Sequence, residues 1–157
     1  MVVRRGDALM QAKFGIIEIP RSIDSARENA RLAEEHGFDI VGVADSQSLF
    51  RELFVTLSAI GSATGRVGLG PTVTNPLTRH PAVMASGLAS IQEISGGRAF
   101  LGIATGDSAI YNLGERPRGL VGLKEYIHAL RKLFAGEHTE FGGKPIHTRW
   151  ILSLIHI

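Results

Sequence analysis

The chain has 157 residues, of which 44% are hydrophobic and 20% charged; this composition is typical of a globular domain with a sizeable core and excludes a disordered chain. Seventeen basic and fifteen acidic residues leave a net charge of only +2, and the arginines are scattered, so nothing points to nucleic acid. The chain has no cysteine and therefore no disulfides. No run reaches the roughly 18 apolar residues of a membrane span, and the N-terminus does not have the pattern of a signal peptide. We expect a soluble, cytoplasmic protein without a metal site.

The N-terminal part of the chain predicts a strand, a helix and a second strand. Lys13–Ile19 is a short apolar run closed by a proline, as in a buried strand that leads into a loop. Apolar residues then recur at helical spacing, with Ser22 able to cap the helix start and Gly37 placed to end it. Phe38–Ala44 is apolar at both odd and even positions, which is typical of a parallel strand covered on both faces, and Asp45 follows it.

The middle of the chain repeats this pattern. A helix that ends at Gly65 has three apolar residues on one face: Leu53, Leu57 and Ile60. The short strand Val67–Leu69 leads into the loop Gly70–Pro76. A further helix begins at Pro81, which suits a first helical position, and a pair of glycines ends it before the strand Arg98–Ile103.

The fourth strand also leads into a polar loop, Ala104–Ser108. The helix Leu120–Phe134 follows, with one apolar stripe and Gly136 as its stop. Beyond it, Thr139–Trp150 is rich in glycine and predicts no fifth strand–helix unit.

Four strand–helix units without an antiparallel hairpin among them predict parallel strands joined by right-handed crossovers. Such a sheet could be a complete open α/β domain or half of a (β/α)8 barrel. An open dinucleotide-binding sheet is expected to have a glycine-rich turn after its first strand, whereas Glu18–Arg21 contains no glycine. We therefore predict an α/β fold of the (β/α)8 TIM-barrel type, truncated to about its first four strand–helix units.

The candidate site residues follow the strands, because ligands of parallel α/β folds bind at the carboxyl ends of the strands. Asp45 could hydrogen-bond a ligand or cap the following helix. Thr72, Thr74 and Asn75 offer hydroxyl and amide groups that suit a planar polar ring, although an Asn-Pro pair is also common in turns.

A second set of candidates lies in the loop after the fourth strand. Thr105, Gly106, Asp107 and Ser108 combine acceptors and backbone amides, as a binding loop needs, while an ordinary turn explains the glycine equally well. The glycines lack the spacing of a phosphate-binding motif, so a phosphate-binding open α/β domain is the weaker alternative. Of the six dispersed histidines, only His80 lies beside a candidate loop.

Four segments together resemble the luciferase-like monooxygenase superfamily in their order and spacing: Gly37–Asp39, Leu69–Pro76, Ile94–Ala99 and Leu101–Asp107. The similarity extends from about Lys13 to Glu137. The Val-Thr-Asn-Pro and Gly-Asp stretches look most similar to the methylenetetrahydromethanopterin reductase-like branch.

The resemblance implies a barrel about twice this length that binds a flavin or deazaflavin at its C-terminal mouth and passes a hydride between the ring and a small organic substrate. The branch generally uses the deazaflavin coenzyme F-420, with FMN and a monooxygenase activity as the alternative. By position, Asp45 would lie near the ring, Thr74 and Asn75 would contact its polar edge, and Thr105–Ser108 would line the same mouth. A non-prolyl cis peptide would fall near Thr72-Val73, behind the ring, and the full-length family implies a homodimer.

The sequence departs from the branch at two places. The branch often has Asp-His where this chain has Asp45-Ser46, which leaves a proton-relay role of Ser46 open. It often has Gly-Pro-Gly where this chain has Gly70-Pro71-Thr72, and a threonine there crowds the ring differently from glycine, so F-420 and FMN both stay possible.

The resemblance also divides the chain. Residues 1–12 are interpreted as an N-terminal extension, 13–137 as the four-unit half barrel, and 138–157 as the start of an insertion followed by a tail. The last residues, Leu152–Ile157, match nothing expected after Trp150, and we interpret them as frame-shifted or vector-derived sequence. A half barrel leaves two sheet edges open, which favours pairing with a second chain or marginal stability. The alternative to an enzyme is therefore a non-catalytic fragment or a half barrel whose role is assembly.

Overall fold

A computed structural model describes residues 12–147 of the chain. Residues 1–11 of the predicted extension and the segment Leu152–Ile157 lie outside this range. In chain order the elements are β1 (Gly15–Glu18), α1 (Ile23–Glu35), β2 (Ile40–Val43), α2 (Leu53–Ala63), β3 (Gly68–Pro71), α3 (Pro81–Ile94), α4 (Ser108–Tyr111), α5 (Leu120–Phe134), β4 (Thr139–Phe141) and β5 (Lys144–Ile146). No helix among the described residues is long and apolar enough to cross a membrane.

The first three strands form one parallel sheet in the order β1-β2-β3. Gly15 lies opposite Ile40, and Ile40 lies opposite Gly68, so the three strands begin at the same level. A helix follows each strand, α1 after β1, α2 after β2 and α3 after β3. The predicted parallel α/β architecture is therefore confirmed, and the carboxyl ends of the strands lie at one edge of the sheet.

The predicted fourth strand, Arg98–Ile103, is only partly correct. This segment runs parallel to β3 and its continuation, but pairs through two isolated bridges, Leu69 with Ala99 and Thr74 with Ile103. The chain advances five residues from Leu69 to Thr74 and only four from Ala99 to Ile103. The extra residue interrupts the regular ladder, as a β-bulge does, so the segment occupies the fourth position without forming a regular strand.

The helix boundaries follow local signals that the sequence contains. Ser22 Oγ accepts a hydrogen bond from the backbone N–H of Ser25 at 3.1 Å, which confirms the predicted cap of α1. Gly37 has a φ of +83°, the left-handed conformation that ends a helix after its last turn. Pro81 is the first residue of α3, as predicted.

The buried side chains form two clusters. One packs α1 and α2 against the sheet and consists of Ala26, Ala30, Ala33, Val41, Val43, Leu53, Leu57, Ile60, Val67, Leu69 and Ile91. The other packs α3 against α5 and consists of Met84, Ala85, Leu88, Tyr126, Leu130 and Leu133. Each fully buried aliphatic side chain stabilises the fold by about 1.5–3 kcal/mol. Ile17 and Ile19 of the first strand region remain exposed, so this part of the sheet lacks a packed cover among the described residues.

Residues 139–146 form an antiparallel hairpin that the sequence interpretation missed. β4 and β5 pair with Thr139 opposite Ile146 and Phe141 opposite Lys144. The two-residue turn between them is Gly142-Gly143, with φ values of +60° and +70°, and positive φ at both turn positions is what a tight hairpin requires. The glycines of this stretch therefore make a turn rather than a break in regular structure. The short helix α4 was also missed.

Candidate functional site

A cavity of about 240 Å³ opens at the carboxyl ends of β2, β3 and the fourth segment. Seven of the nine predicted site residues line it, together with two alanines: Asp45, Val73, Thr74, Asn75, Ala104, Thr105, Gly106, Asp107 and Ala109. The other two predicted residues, Thr72 and Ser108, are not among the lining residues. The parallel strands thus bring three loops, distant in sequence, around one space.

Asp45 is the buried carboxylate of this cavity: its side chain is only 5% exposed, whereas Asp107, the other lining carboxylate, is exposed. Its Oδ2 accepts hydrogen bonds from Thr74 Oγ1 and from Arg79 Nη1, both at 2.6 Å. The alternative role as a helix cap is not observed, because α2 is capped by Glu52, whose Oε2 accepts from the N–H of Val55 at 2.9 Å.

Arg79 is a member of the site network that the sequence interpretation did not identify. Its Nη2 donates to Glu52 Oε1 at 2.8 Å, and its guanidinium lies 5.4 Å from the ring centroid of Phe54. Burial lowers the pKa of Arg79, but hydrogen bonds and charges of Asp45 and Glu52 outweigh burial, and the pKa is raised above its ordinary value. Arg79 is therefore a fixed positive charge that compensates the nearly buried Asp45 carboxylate.

Asn75 stabilises a turn and also lines the cavity. Its Oδ1 accepts hydrogen bonds from the N–H groups of Leu77 at 3.0 Å and Thr78 at 2.9 Å. This is the turn role that an Asn-Pro pair predicts. Because Asn75 also lines the cavity, the two interpretations of this residue are compatible.

The peptide bond between Thr72 and Val73 is cis, as the resemblance implied. Val73 is exposed and lines the cavity, whereas the side chain of Thr72 points to Gly42 of β2. A Cβ atom at Gly42 would lie 2.1 Å from Thr72 Oγ1. The Thr72 hydroxyl is buried and has no hydrogen-bond partner among residues 12–147. Thr72 thus packs behind the cavity wall rather than lining it.

The loop after the fourth segment ends in the short helix α4. Gly106 lines the cavity with a φ of +101°, a conformation that suits glycine. Asp107 caps α4 through the backbone N–H of Ser108. Ser108 Oγ lies 2.8 Å from Oγ of the buried Ser46, so Ser108 joins two loops and does not line the cavity.

His80 has a structural role. Its Nδ1 accepts a hydrogen bond from the N–H of Ala82 at 3.2 Å and so caps α3. Its ring contacts the edge of the Phe141 ring at a centroid distance of 5.7 Å. His80 lies beside a candidate loop, as the sequence indicated, but it is not among the residues that line the cavity.

The cavity combines two kinds of surface. The Asp45 carboxylate, the Thr74 hydroxyl and the loop 104–107 provide polar groups, whereas Val73, Ala104 and Ala109 provide apolar contacts. A planar heteroaromatic ring has apolar faces and a polar edge, and it needs both kinds of contact. The residues present therefore fit one end of a flavin or deazaflavin ring.

Comparison with known proteins identifies the family. The sequence pattern of the luciferase-like monooxygenase family matches residues 4–153. The 5,10-methylenetetrahydromethanopterin reductase of Methanolobus tindarius is 39% identical over 138 residues, which are 85% of this chain and 41% of that protein. The F-420-dependent glucose-6-phosphate dehydrogenase of Nakamurella multipartita is 35% identical over 133 residues, which are 74% of this chain and 38% of that protein.

The fold agrees with these sequence comparisons. The coenzyme F-420-dependent tetrahydromethanopterin reductase of Methanopyrus kandleri has a TM-score of 0.78 and 26% identity, over 87% of this chain and 44% of that structure. The chain thus spans less than half the length of the relatives it matches. The predicted fold class, part of a TIM barrel, is confirmed, and the chain belongs to the luciferase-like monooxygenase family.

Proposed function

We propose that this chain carries the ring-binding part of an oxidoreductase that uses coenzyme F-420 for hydride transfer to or from a small organic substrate. The observation that carries the proposal is the convergence of Asp45, Thr74 and the loop 104–107 on one cavity that Val73 completes with an apolar surface. Two relatives, at 39% and 35% identity, support the oxidoreductase class, and the second is named as F-420-dependent. When bound, the cofactor supplies the hydride-carrying ring.

The residues of this chain would bind and orient that ring. Asp45 would accept a hydrogen bond from a ring N–H, since Arg79 and Thr74 already occupy its Oδ2 and leave Oδ1 available. Val73 and the alanines of the lining would contact a ring face and keep water from it. The backbone amides of 105–107 would face the polar edge of the ring. None of these groups performs the transfer itself.

An FMN-dependent monooxygenase is the nearer alternative, because Thr72 stands where the reductase-like branch often has glycine. A non-catalytic fragment is the alternative of another class. We assign no individual substrate, since the two relatives are named for different substrates, a pterin and a sugar phosphate.

The proposal includes a cytoplasmic homodimer of the whole protein. A groove of about 490 Å³ runs along the outer faces of α2 and α3, lined by Phe54, Ser58, Ala82, Val83, Ser86, Gly87, Ser90 and Ile91. Val83 is 57% exposed beside these small residues, which allow close approach of a second chain.

Titration of the purified chain with F-420, and separately with FMN, tests the proposal through quenching of cofactor fluorescence. Saturable binding of F-420 that is stronger than that of FMN is the expected result. Asp45→Asn should weaken binding, whereas Asp39→Asn is the matched control, because Asp39 precedes β2 and bonds the N–H of Phe14 at 2.9 Å, outside the cavity. Preference for FMN would support the monooxygenase alternative, and a folded chain that binds neither cofactor would be a non-catalytic fragment.

A further inference from the structure

The orientation of the Asp45 carboxylate depends on which neighbour fixes it. Both of its hydrogen bonds reach the same oxygen, Oδ2, so the orientation of the carboxylate decides whether Oδ1 faces the cavity. The Thr74 hydroxyl is a single rotatable donor that can follow a turning carboxylate. The Arg79 guanidinium is planar, and its donors have fixed directions. Arg79 is therefore the group able to hold one orientation of Asp45.

Arg79 is itself held from several sides. Glu52, at the start of α2, accepts from its Nη2, and the Phe54 ring lies against its guanidinium. Its backbone carbonyl accepts a hydrogen bond from the buried Tyr126 hydroxyl of α5 at 3.0 Å. The Arg79 side chain is only 16% exposed. The Glu52 and Phe54 contacts hold the guanidinium, the Tyr126 hydrogen bond holds its main chain, and none of these three residues lines the cavity.

We propose that Arg79 is a positioning residue that holds Asp45 with Oδ1 toward the cavity, where this oxygen accepts a hydrogen bond from the cofactor ring. The inference rests on the proposed function, since it requires a ring in the cavity. Arg79 does not line the cavity and acts through Asp45. Without Arg79, a nearly buried carboxylate loses its charge partner and its fixed orientation.

Three substitutions separate positioning from a general contribution to folding. Arg79→Gln removes the charge and the fork of donors. Arg79→Lys keeps the charge but cannot bond Asp45 and Glu52 with fixed planar geometry. Arg98→Gln is the matched control, since Arg98 is also partly buried but donates to backbone carbonyls, among them Val67 O at 2.6 Å and Thr64 O at 2.8 Å, and does not line the cavity.

The experiment titrates each variant of the 157-residue chain with F-420 and with FMN at a temperature where thermal unfolding shows it to be folded. Arg79→Gln should weaken binding of the preferred cofactor roughly tenfold or more, as expected for one lost charge-assisted hydrogen bond, and Arg79→Lys should weaken it less. The absorption maximum of the bound cofactor at saturation should shift in Arg79→Gln, and Arg98→Gln should leave affinity and spectrum unchanged. Asp45→Asn combined with Arg79→Gln should bind no more weakly than Asp45→Asn alone.

Two results would overturn the inference while the proposed function stands: unchanged affinity and spectrum in folded Arg79→Gln, or independent losses that multiply in the double variant. If the unaltered chain binds neither cofactor, the proposed function fails first, and the inference fails with it.

Discussion

Gly42 and Thr72 should behave as a coupled pair, and the structure allows the size of the coupling to be worked out. A Cβ at Gly42 would lie 2.1 Å from Oγ1, 2.5 Å from Cγ2 and 2.8 Å from Cβ of Thr72. Contacts this short require the side chain or backbone of Thr72 to move. We expect Gly42→Ala to destabilise the chain by about 1–3 kcal/mol, as overpacking does in other cores. For a domain of this size each kcal/mol lowers the Tm by roughly 2–4 °C.

The Thr72→Gly background removes all three of the contacting atoms. In that background Gly42→Ala should cost close to nothing, so a double-mutant cycle by urea unfolding should give a coupling energy of about 1–3 kcal/mol. Gly65→Ala is the matched control, because a Cβ at Gly65 meets nothing within 4 Å. Equal costs of Gly42→Ala in both backgrounds would refute the reasoning, since the loss would then come from the backbone of β2 rather than from Thr72.

Two further predictions concern the outer part of the fold. Glu34 accepts hydrogen bonds from the N–H groups of Gly65 at 2.9 Å and Val67 at 2.8 Å. Burial raises the pKa of Glu34, but the backbone hydrogen bonds outweigh burial and hold the pKa below its ordinary value. Glu34 therefore stabilises the fold above its unfolded-state pKa, and this contribution is lost as the pH falls through the folded-state pKa. Glu34→Gln should lower the free energy of unfolding at pH 7, and the two free energies should converge in acid. Urea titrations that give the same difference in free energy at every pH would contradict this. Val83→Glu should prevent self-association through the groove of α2 and α3, measured by sedimentation equilibrium; unchanged association would place the interface elsewhere.

The parts of the fold that depend on local chemistry could be predicted from the sequence. The apolar pattern of Phe38–Ala44 is that of a strand covered on both faces, and β2 forms within it. Ser22, Gly37 and Pro81 mark helix ends because caps and stops involve only neighbouring residues. The glycine pair at 142 and 143 was an equally local signal for a hairpin, but it was interpreted as a loss of regular structure.

The details of how distant residues pair could not be predicted. Periodicity shows that Arg98–Ile103 is extended, yet it contains no information on the extra residue that interrupts its pairing with β3. Asp45 and Arg79 lie 34 positions apart in loops without periodicity, so their ion pair appears only when the strands are assembled. The family resemblance predicted the cavity residues, because a family's motifs reflect residues that lie close together in the folded protein. Arg79 lies outside the segments that carry the resemblance and was not predicted.

The extra residue between Leu69 and Thr74 also limits how this protein can change. Removing one residue between Leu69 and Thr74 would make the two spacings equal and would shorten the loop that carries Val73 and Thr74 to the cavity. The sheet could survive such a deletion while the polar wall of the cavity is lost. We therefore expect this loop to tolerate substitution better than a change of length.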